Sequence, residues 1–389
     1  MKRLYFGLLV CIMAVAGSQA LAVEPGARAG GMAGAYSTVA GGSEGIWWND
    51  AVLGTPILGS AALGVALDGG NNALTLSQLS GIATDDAQKK AEAADAIGNQ
   101  DWNARIEVGA GAAFSILGFA VGVTPHVLVE ANDVSPLLMR QALTGTAALT
   151  PFTHYDITGE FVTSGYTEYA LGYAHEIPIP VPGFSLSGGL ALKYLQGFNY
   201  ERYQTEMHFD TGSLTAPLAN SAHEKSTKGT GYGVDLGVRA TVLGVVKAAV
   251  IVKNLGAKLT WDGTTESSAG YDAATGSFGT TISSGDIEEK LPTRVVVGAS
   301  ASIPVVGTTV AAAMDTRTTP AETRGRFGLE QSLGILGIRF GYVTAAGPTP
   351  GMITFGVGVG ALVARLDVSA GICSGNKGGM LGASANVSF

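Results

Sequence analysis

Cysteine is nearly absent: Cys11 and Cys373 are the only two in 389 residues. Cys11 falls within the opening apolar stretch and follows Val10, not a small residue, which argues against a lipoprotein anchor. If that stretch is removed, Cys373 stands alone and no intramolecular disulfide can form, even in an oxidising compartment. Charge is also scarce, at 14% of residues, and the basic sign is the scarcer one. Without Lys2 and Arg3 the basic count falls from 23 to 21 against 31 acidic residues, a formal charge of −10. Such a chain is a poor partner for nucleic acid. Long hydrophobic runs are missing after residue 22, where none reaches the roughly 18–20 apolar residues of a spanning helix. A catalytic constellation is missing too. His126, His154, His175, His208 and His223 are scattered without metal-ligand spacing, and no nucleophile and base can be placed together. No enzymatic activity, cofactor or metal is therefore expected.

What is present begins with an export signature over 1–22. Lys2 and Arg3 precede an apolar stretch from Leu4 to Ala16, and Ala20-Leu21-Ala22 offers a small-x-small cleavage site. Beyond it, glycine is abundant (57 residues) and the mean hydropathy is positive. An apolar chain without spanning helices satisfies its backbone in lipid by closing a barrel. A soluble sandwich or propeller is the competing reading. Short turns at Leu117-Gly118, Pro180 to Gly183, Leu243-Gly244, Pro304 to Gly307, Gly334-Ile335 and Gly360-Ala361 alternate with polar segments such as 201–228 and 262–289, read as loops. This is the layout of an outer-membrane barrel, and it accommodates about 14 strands between 58 and 389. The expected fold is therefore an all-β transmembrane antiparallel β-barrel.

Alternation fixes faces and registers. A two-residue turn at Gly334-Ile335 sets Glu330 opposite Arg339 on the inner face, with Leu329 opposite Phe340 and Phe327 opposite Tyr342 outside. A slip of one residue would put Arg339 in lipid at a cost of ~2–4 kcal/mol. The final strand alternates up to Phe389, a terminal aromatic resembling the signal read by barrel-assembly machinery. By the same parity Arg105, Glu107, Lys193, Asp235, Arg239, Lys247, Arg294, Asp315, Arg326, Glu330, Arg339, Arg365 and Asp367 point into the bore. They read either as an ion-pair network packing the lumen or as a lining selective for an anionic headgroup. Gly356 to Gly360 alternates glycine with valine, which suits small inward residues of a strand better than a nucleotide loop.

Two segments break the alternation. Residues 84–98 read as a short helix with a Thr or Asp cap in the first outward loop, either solvated or partner-binding. Residues 23–57, with Gly26 to Tyr36 rich in small residues and Trp47, Trp48 and Asn49 following, suit close packing inside a barrel as a plug. Here the chain resembles the FadL-like superfamily of outer-membrane barrels: long-chain fatty acid transporters, PorV-type secretion barrels and TraF-like conjugation proteins. The residues carrying the likeness are Gly26-Ala27-Arg28-Ala29-Gly30-Gly31-Met32 and, resembling the PorV and TraF branches, Lys253-Asn254-Leu255-Gly256, Glu289-Lys290-Leu291-Pro292-Thr293-Arg294 and Gly328-Leu329-Glu330 with Arg339-Phe340-Gly341-Tyr342. The usual aromatic-Asn-Pro-Ala is Trp48-Asn49-Asp50-Ala51 here, so the proline is replaced.

Pro125 lies inside an expected strand, where its missing N–H must break a ladder bond. The resemblance implies a kinked strand opening the wall sideways; a bulge or early strand end is the alternative. Two functions follow as expectations. One is outer-membrane transport of small hydrophobic, fatty-acid-like molecules through a plugged barrel, with a hydrophobic ligand near Trp47, Trp48, Asn49 and Pro125. The other is a non-transporting scaffold binding a protein partner at its extracellular loops. Outer-membrane lipid is a partner in both.

Overall fold

The computed structural model describes residues 24–53, 58–83, 86–145, 153–211, 218–272, 277–318, 321–346, 350–361 and 363–389; the export segment lies outside them. Fifteen antiparallel strands form one sheet. They are β1 (Gly59–Asn71), β2 (Trp102–Ile116), β3 (Phe119–Val134), β4 (His154–Ile177), β5 (Phe184–Asp210), β6 (Leu218–Val242), β7 (Val246–Asp272), β8 (Ser277–Lys290), β9 (Arg294–Ile303), β10 (Thr308–Thr318), β11 (Ala321–Leu333), β12 (Leu336–Val343), β13 (Met352–Ala361), β14 (Ala364–Cys373) and β15 (Gly378–Ser388). Fourteen of them close a ring: β1 pairs with β15, and β7 pairs with both β6 and β9. Closure leaves no unpaired edge in lipid. The fifteenth, β8, lies outside the ring on the outer half of β7.

The sequence-based expectation of loops at 201–228 and 262–289 is corrected here. β5, β6 and β7 run for 27, 25 and 27 residues, and β7 and β8 form a hairpin. These parts alternate Thr, Ser and charge instead of apolar and small residues. They pair through the same ladders as the rest of the strands, but both faces are largely open to water, beyond the apolar belt that made the other strands recognisable. The turns at the other end are tight. Leu117 and Gly118 have φ of 49° and 85°, the left-handed pair of a two-residue hairpin matched to strand twist.

The register of β11 and β12 is the one alternation dictates: Glu330↔Arg339, Leu329↔Phe340, Phe327↔Tyr342. Phe114, Val121, Leu171, Phe327, Phe340 and Phe355 are exposed on the outer wall as a lipid-facing belt. Three helices join the outward ends of the first strands: α3 (Leu76–Ala83), α4 (Ala87–Ile97) and α5 (Pro136–Thr144). Asp86 caps α4, its side chain accepting from the Lys89 N–H. Ala93 and Ile97 of α4 pack with Trp102, Ile106 and Val129. Trp102 and Ile106 share the β2 face of lipid-exposed Phe114, so these helices cover the outer wall near the rim rather than entering the bore.

Candidate functional site

The interior is occupied by the chain's own N-terminal residues. After Gly26 come α1 (Ala27–Gly31), two 3₁₀ turns (Gly42–Glu44 and Asp50–Val52) and, between them, α2 (Gly45–Trp48). Almost every residue from Pro25 to Leu53 is at least half buried. The backbone of α1 runs directly against the wall. A Cβ on Gly356 would sit 2.9 Å from Gly31 Cα, and one on Gly341 would sit 2.5 Å from the Ala33 nitrogen. This contact is the reason for glycine at 356, whereas at Gly358 a Cβ would strike the Asp367 carboxylate. Hydrogen bonds fix it: Ala27 N–H donates to Ser384 Oγ (3.1 Å), Thr354 Oγ1 to the Gly31 carbonyl (3.1 Å), and Arg326 to the Ala33 carbonyl (2.9 Å).

The half of the bore formed by β9 to β15 is charged, and its charges are paired. Arg28 of α1 grips Glu330 with two bonds of 2.8 Å, and Glu330 also accepts from Arg339 (2.6 Å). Arg339 has no solvent exposure and reaches Asp367 (2.8 Å), which Arg365 approaches at 3.1 Å. Beside them Asp315 accepts three bonds from Arg294, two of them shared by its Nε, and one from Arg326. Across the bore, Lys193 lies 3.0 Å from Glu168 and 2.7 Å from Asp235. Buried charge persists only where partners compensate its desolvation, and these clusters meet that condition. Two of the residues singled out from sequence are exceptions: Arg239, buried on β6, and the half-buried Lys247 of β7 have no ion pair within 4 Å among the described residues.

Toward the short turns the half formed by β1 to β4 is apolar, whereas Glu107 and Glu168 lie farther out on the same strands. Ile46, Trp47 and Leu53 pack against Ala62, Ala113, Ala120, Ala170 and Ala174. The walls there are lined by small residues: a Cβ on Gly111 would collide with the Trp47 ring (2.7 Å) and one on Gly172 with Leu53 (2.7 Å). Trp47 Nε1 donates to Thr124 Oγ1 of β3 (3.0 Å). Trp48 donates to the Pro25 carbonyl (3.1 Å) and meets Tyr36 edge-on. Asn49 donates to the Ser37 carbonyl and accepts from the Ala51 N–H. Asn49 is extended (φ −169°, ψ 106°), the conformation a following proline would favour. Asp50, which stands in the proline's place, adds a buried carboxyl.

Pro125 faces outward beside this apolar half. Toward β4 the pairing is continuous through Pro125↔Thr167. Toward β2 it runs to Gly109↔His126 and resumes at Ala112↔Val123, so the pairs 110/125 and 111/124 are absent without a shift of register. In an antiparallel ladder both pairs depend on one bond, from the N–H of residue 125 to the Ala110 carbonyl. Proline lacks that donor. The break is thus one bond wide and is not a bulge, and on the inner face Trp47 covers it through Thr124 and Gly111.

Several contributing residues were not singled out from sequence, although Lys253 shares the inward parity of Lys247. Lys253 bonds both Glu24 and the Trp47 carbonyl. The next residue, Asn254, has φ of 56°, and β6–β7 pairing shifts register there. That bulge lets the Asn254 N–H donate to Asp235 (2.7 Å) and brings Lys193 to its side chain (3.2 Å). Lys-Asn-Leu-Gly is the visible signal, but its partners cannot be read from it. A polar cavity of about 320 Å³ opens at the end with the short turns, lined by Arg28, Val39, Glu44, Val363, Arg365 and Asn386.

No family model and no curated protein matches the sequence. Solved structures do match the fold. The P. putida toluene transporter TodX aligns over 94% of this chain and 98% of its own, with TM-score 0.55 and 12% identity. The CymD monoaromatic hydrocarbon channel aligns over the same shares with TM-score 0.55 and 13% identity. A Pseudomonas aeruginosa FadL homologue aligns over 96% and 100%, with TM-score 0.54 and 10% identity.

Proposed function

We propose that this FadL-like outer-membrane barrel carries small hydrophobic molecules across the outer membrane, with residues 24–53 as the plug and the break at Pro125 as a sideways exit. One observation carries the reading. The missing ladder bond lies directly behind the apolar half of the bore, and Ile46 and Trp47 are what covers it. Moving α2 inward by one side chain's width would join an alanine- and glycine-lined space to a wall already short of one bond. The charged half plays a different part, holding α1 while α2 moves. The printed names of the similar structures, a toluene transporter and a monoaromatic hydrocarbon channel, support the choice of a hydrophobic cargo.

The test is uptake of labelled toluene and of a labelled long-chain fatty acid by cells expressing the chain in place of their own hydrophobic transporter. Either cargo should enter faster than with empty vector, and Pro125→Ala, which restores the donor, should slow entry severalfold. Uptake no faster than empty vector for both cargoes would refute transport. The long outer hairpins of β5 to β8 support a second reading, a scaffold that binds a protein partner. A barrel that retains a stoichiometric protein and no extractable apolar molecule would favour it.

A further inference from the structure

The outer ends of β4 and β5 carry two histidines and two carboxylates at one place. Asp156 lies directly opposite His208, with His154 two residues before it on β4 and Glu206 two residues before His208 on β5. The four share parity with Ser164 and Tyr200, both buried and facing inward, so they stand on the inner face above the bore. The imidazoles of His154 and His208 both turn a nitrogen to the same oxygen, Asp156 Oδ1, at 3.1 and 2.5 Å. One ligand atom from each of these three residues lies within 4.8 Å of the others. The second nitrogen of His208 bonds Glu206 Oε1 at 3.0 Å.

From this geometry we infer that His154, Asp156 and His208 bind a divalent transition metal of the zinc class at the outer mouth, with Glu206 orienting His208 from behind. Two imidazoles and a carboxylate select zinc-like ions over calcium or magnesium, which take oxygen ligands. Tetrahedral coordination at about 2.0–2.1 Å needs ligand atoms a little over 3 Å apart, so the side chains must shift by on the order of 1 Å, His208 drawing back from Asp156, which exposed side chains at a strand end can do. The Glu206–His208 bond is the carboxylate–histidine arrangement that fixes the ring and its tautomer in metal sites. The side chains of His154 and Asp156 are 58% and 60% exposed, which leaves water access to a remaining coordination position. Beyond the cluster, Thr153 and Thr211 exchange bonds of 2.9 and 3.0 Å, so the strand ends are held before any ion arrives. The two histidines are 54 residues apart in sequence, which is why no ligand spacing announced them. The ion would clamp β4 to β5 above the membrane, independently of the transport reading.

The experiment is zinc titration of the full-length barrel in detergent, without an affinity tag, by calorimetry at about pH 8, followed by cobalt absorption spectroscopy. One saturable site per chain with micromolar affinity is expected, and cobalt should give the visible bands of nitrogen and oxygen coordination. His208→Ala and His154→Ala should each weaken binding at least tenfold, and Glu206→Gln about tenfold. Heat-modifiable electrophoretic migration checks that each variant keeps its barrel. Absence of saturable zinc binding in the unaltered chain would overturn the proposal, as would an affinity unchanged by either histidine substitution.

Discussion

Glu330→Gln tests how the inner segment is held. Glu330 accepts two bonds from Arg28 and one from Arg339, and its side chain is only 4% exposed. Glutamine keeps the volume and one acceptor but removes the charge. Arg339 retains Asp367, whereas Arg28 is left with Tyr36, which approaches its Nη1 at 3.3 Å and offers its ring to the guanidinium. Breaking a buried pair from one side costs about 3–5 kcal/mol, because the remaining charge stays desolvated. Arg339's second partner places this substitution near the lower end. The assay is urea unfolding in detergent followed by tryptophan fluorescence, comparing wild type, Glu330→Gln, Arg28→Met and the double variant. The coupling between the two sites should exceed about 1 kcal/mol, and the double variant should be more stable than Glu330→Gln alone. Because the pair is buried, the loss should change little between 0.1 and 1 M salt. A Glu330→Gln cost below about 0.5 kcal/mol, or purely additive effects, would refute the view that this pair ties α1 to the wall.

Other outcomes follow from neighbouring contacts. Gly341→Val adds a branched side chain where a Cβ already meets the Ala33 nitrogen at 2.5 Å; it should displace α1 and cost ~2–3 kcal/mol, and it should open residues 24–53 to protease, which limited proteolysis reads directly. Burial, with repulsion from Asp235 added, pushes the Asp50 carboxyl up to about 8 from 3.8. The native state thus binds a proton that the unfolded chain releases, so this contribution is complete below about pH 4 and is lost as pH rises through 8. Asp50→Asn should match wild type below about pH 4 and exceed it at pH 9 by as much as roughly 5 kcal/mol; equal stabilities at pH 9 would refute the buried neutral acid. Trp47→Ala uncovers the break at Pro125 and leaves a cavity costing about 3–5 kcal/mol; in liposomes it should raise leakage of small apolar dyes, and unchanged leakage would show that Trp47 does not seal the wall.

The legible part of this protein is what repeats along the chain. A strand's period of two sorts residues to lipid or lumen without knowledge of neighbours, and a two-residue turn fixes register between adjacent strands. Hence the pairing of Glu330 with Arg339, and the ring of fourteen strands, follow from local pattern. The pattern fades where both faces meet water. The outer halves of β5 to β7 and all of β8 carry Thr, Ser and charge on either side, so alternation gave no sign of them.

Tertiary structure alone decided which distant groups meet. Arg28 and Glu330 are 302 residues apart, Lys253 and Glu24 are 229 apart, and His154 joins His208 only through the β4–β5 ladder. Parity could place Arg294, Arg326, Arg339 and Arg365 toward the bore but not name their partners. Those depend on how strands are staggered around the ring and on where the inner segment lies. Pro125 shows the boundary between the two kinds of knowledge. Its missing donor is a property of the residue, and so the broken bond was determined by sequence. That the donor would have faced β2 was decided by the phase of the ladder bonds, and that Trp47 covers the break by the packing of α2 against small residues from four different strands.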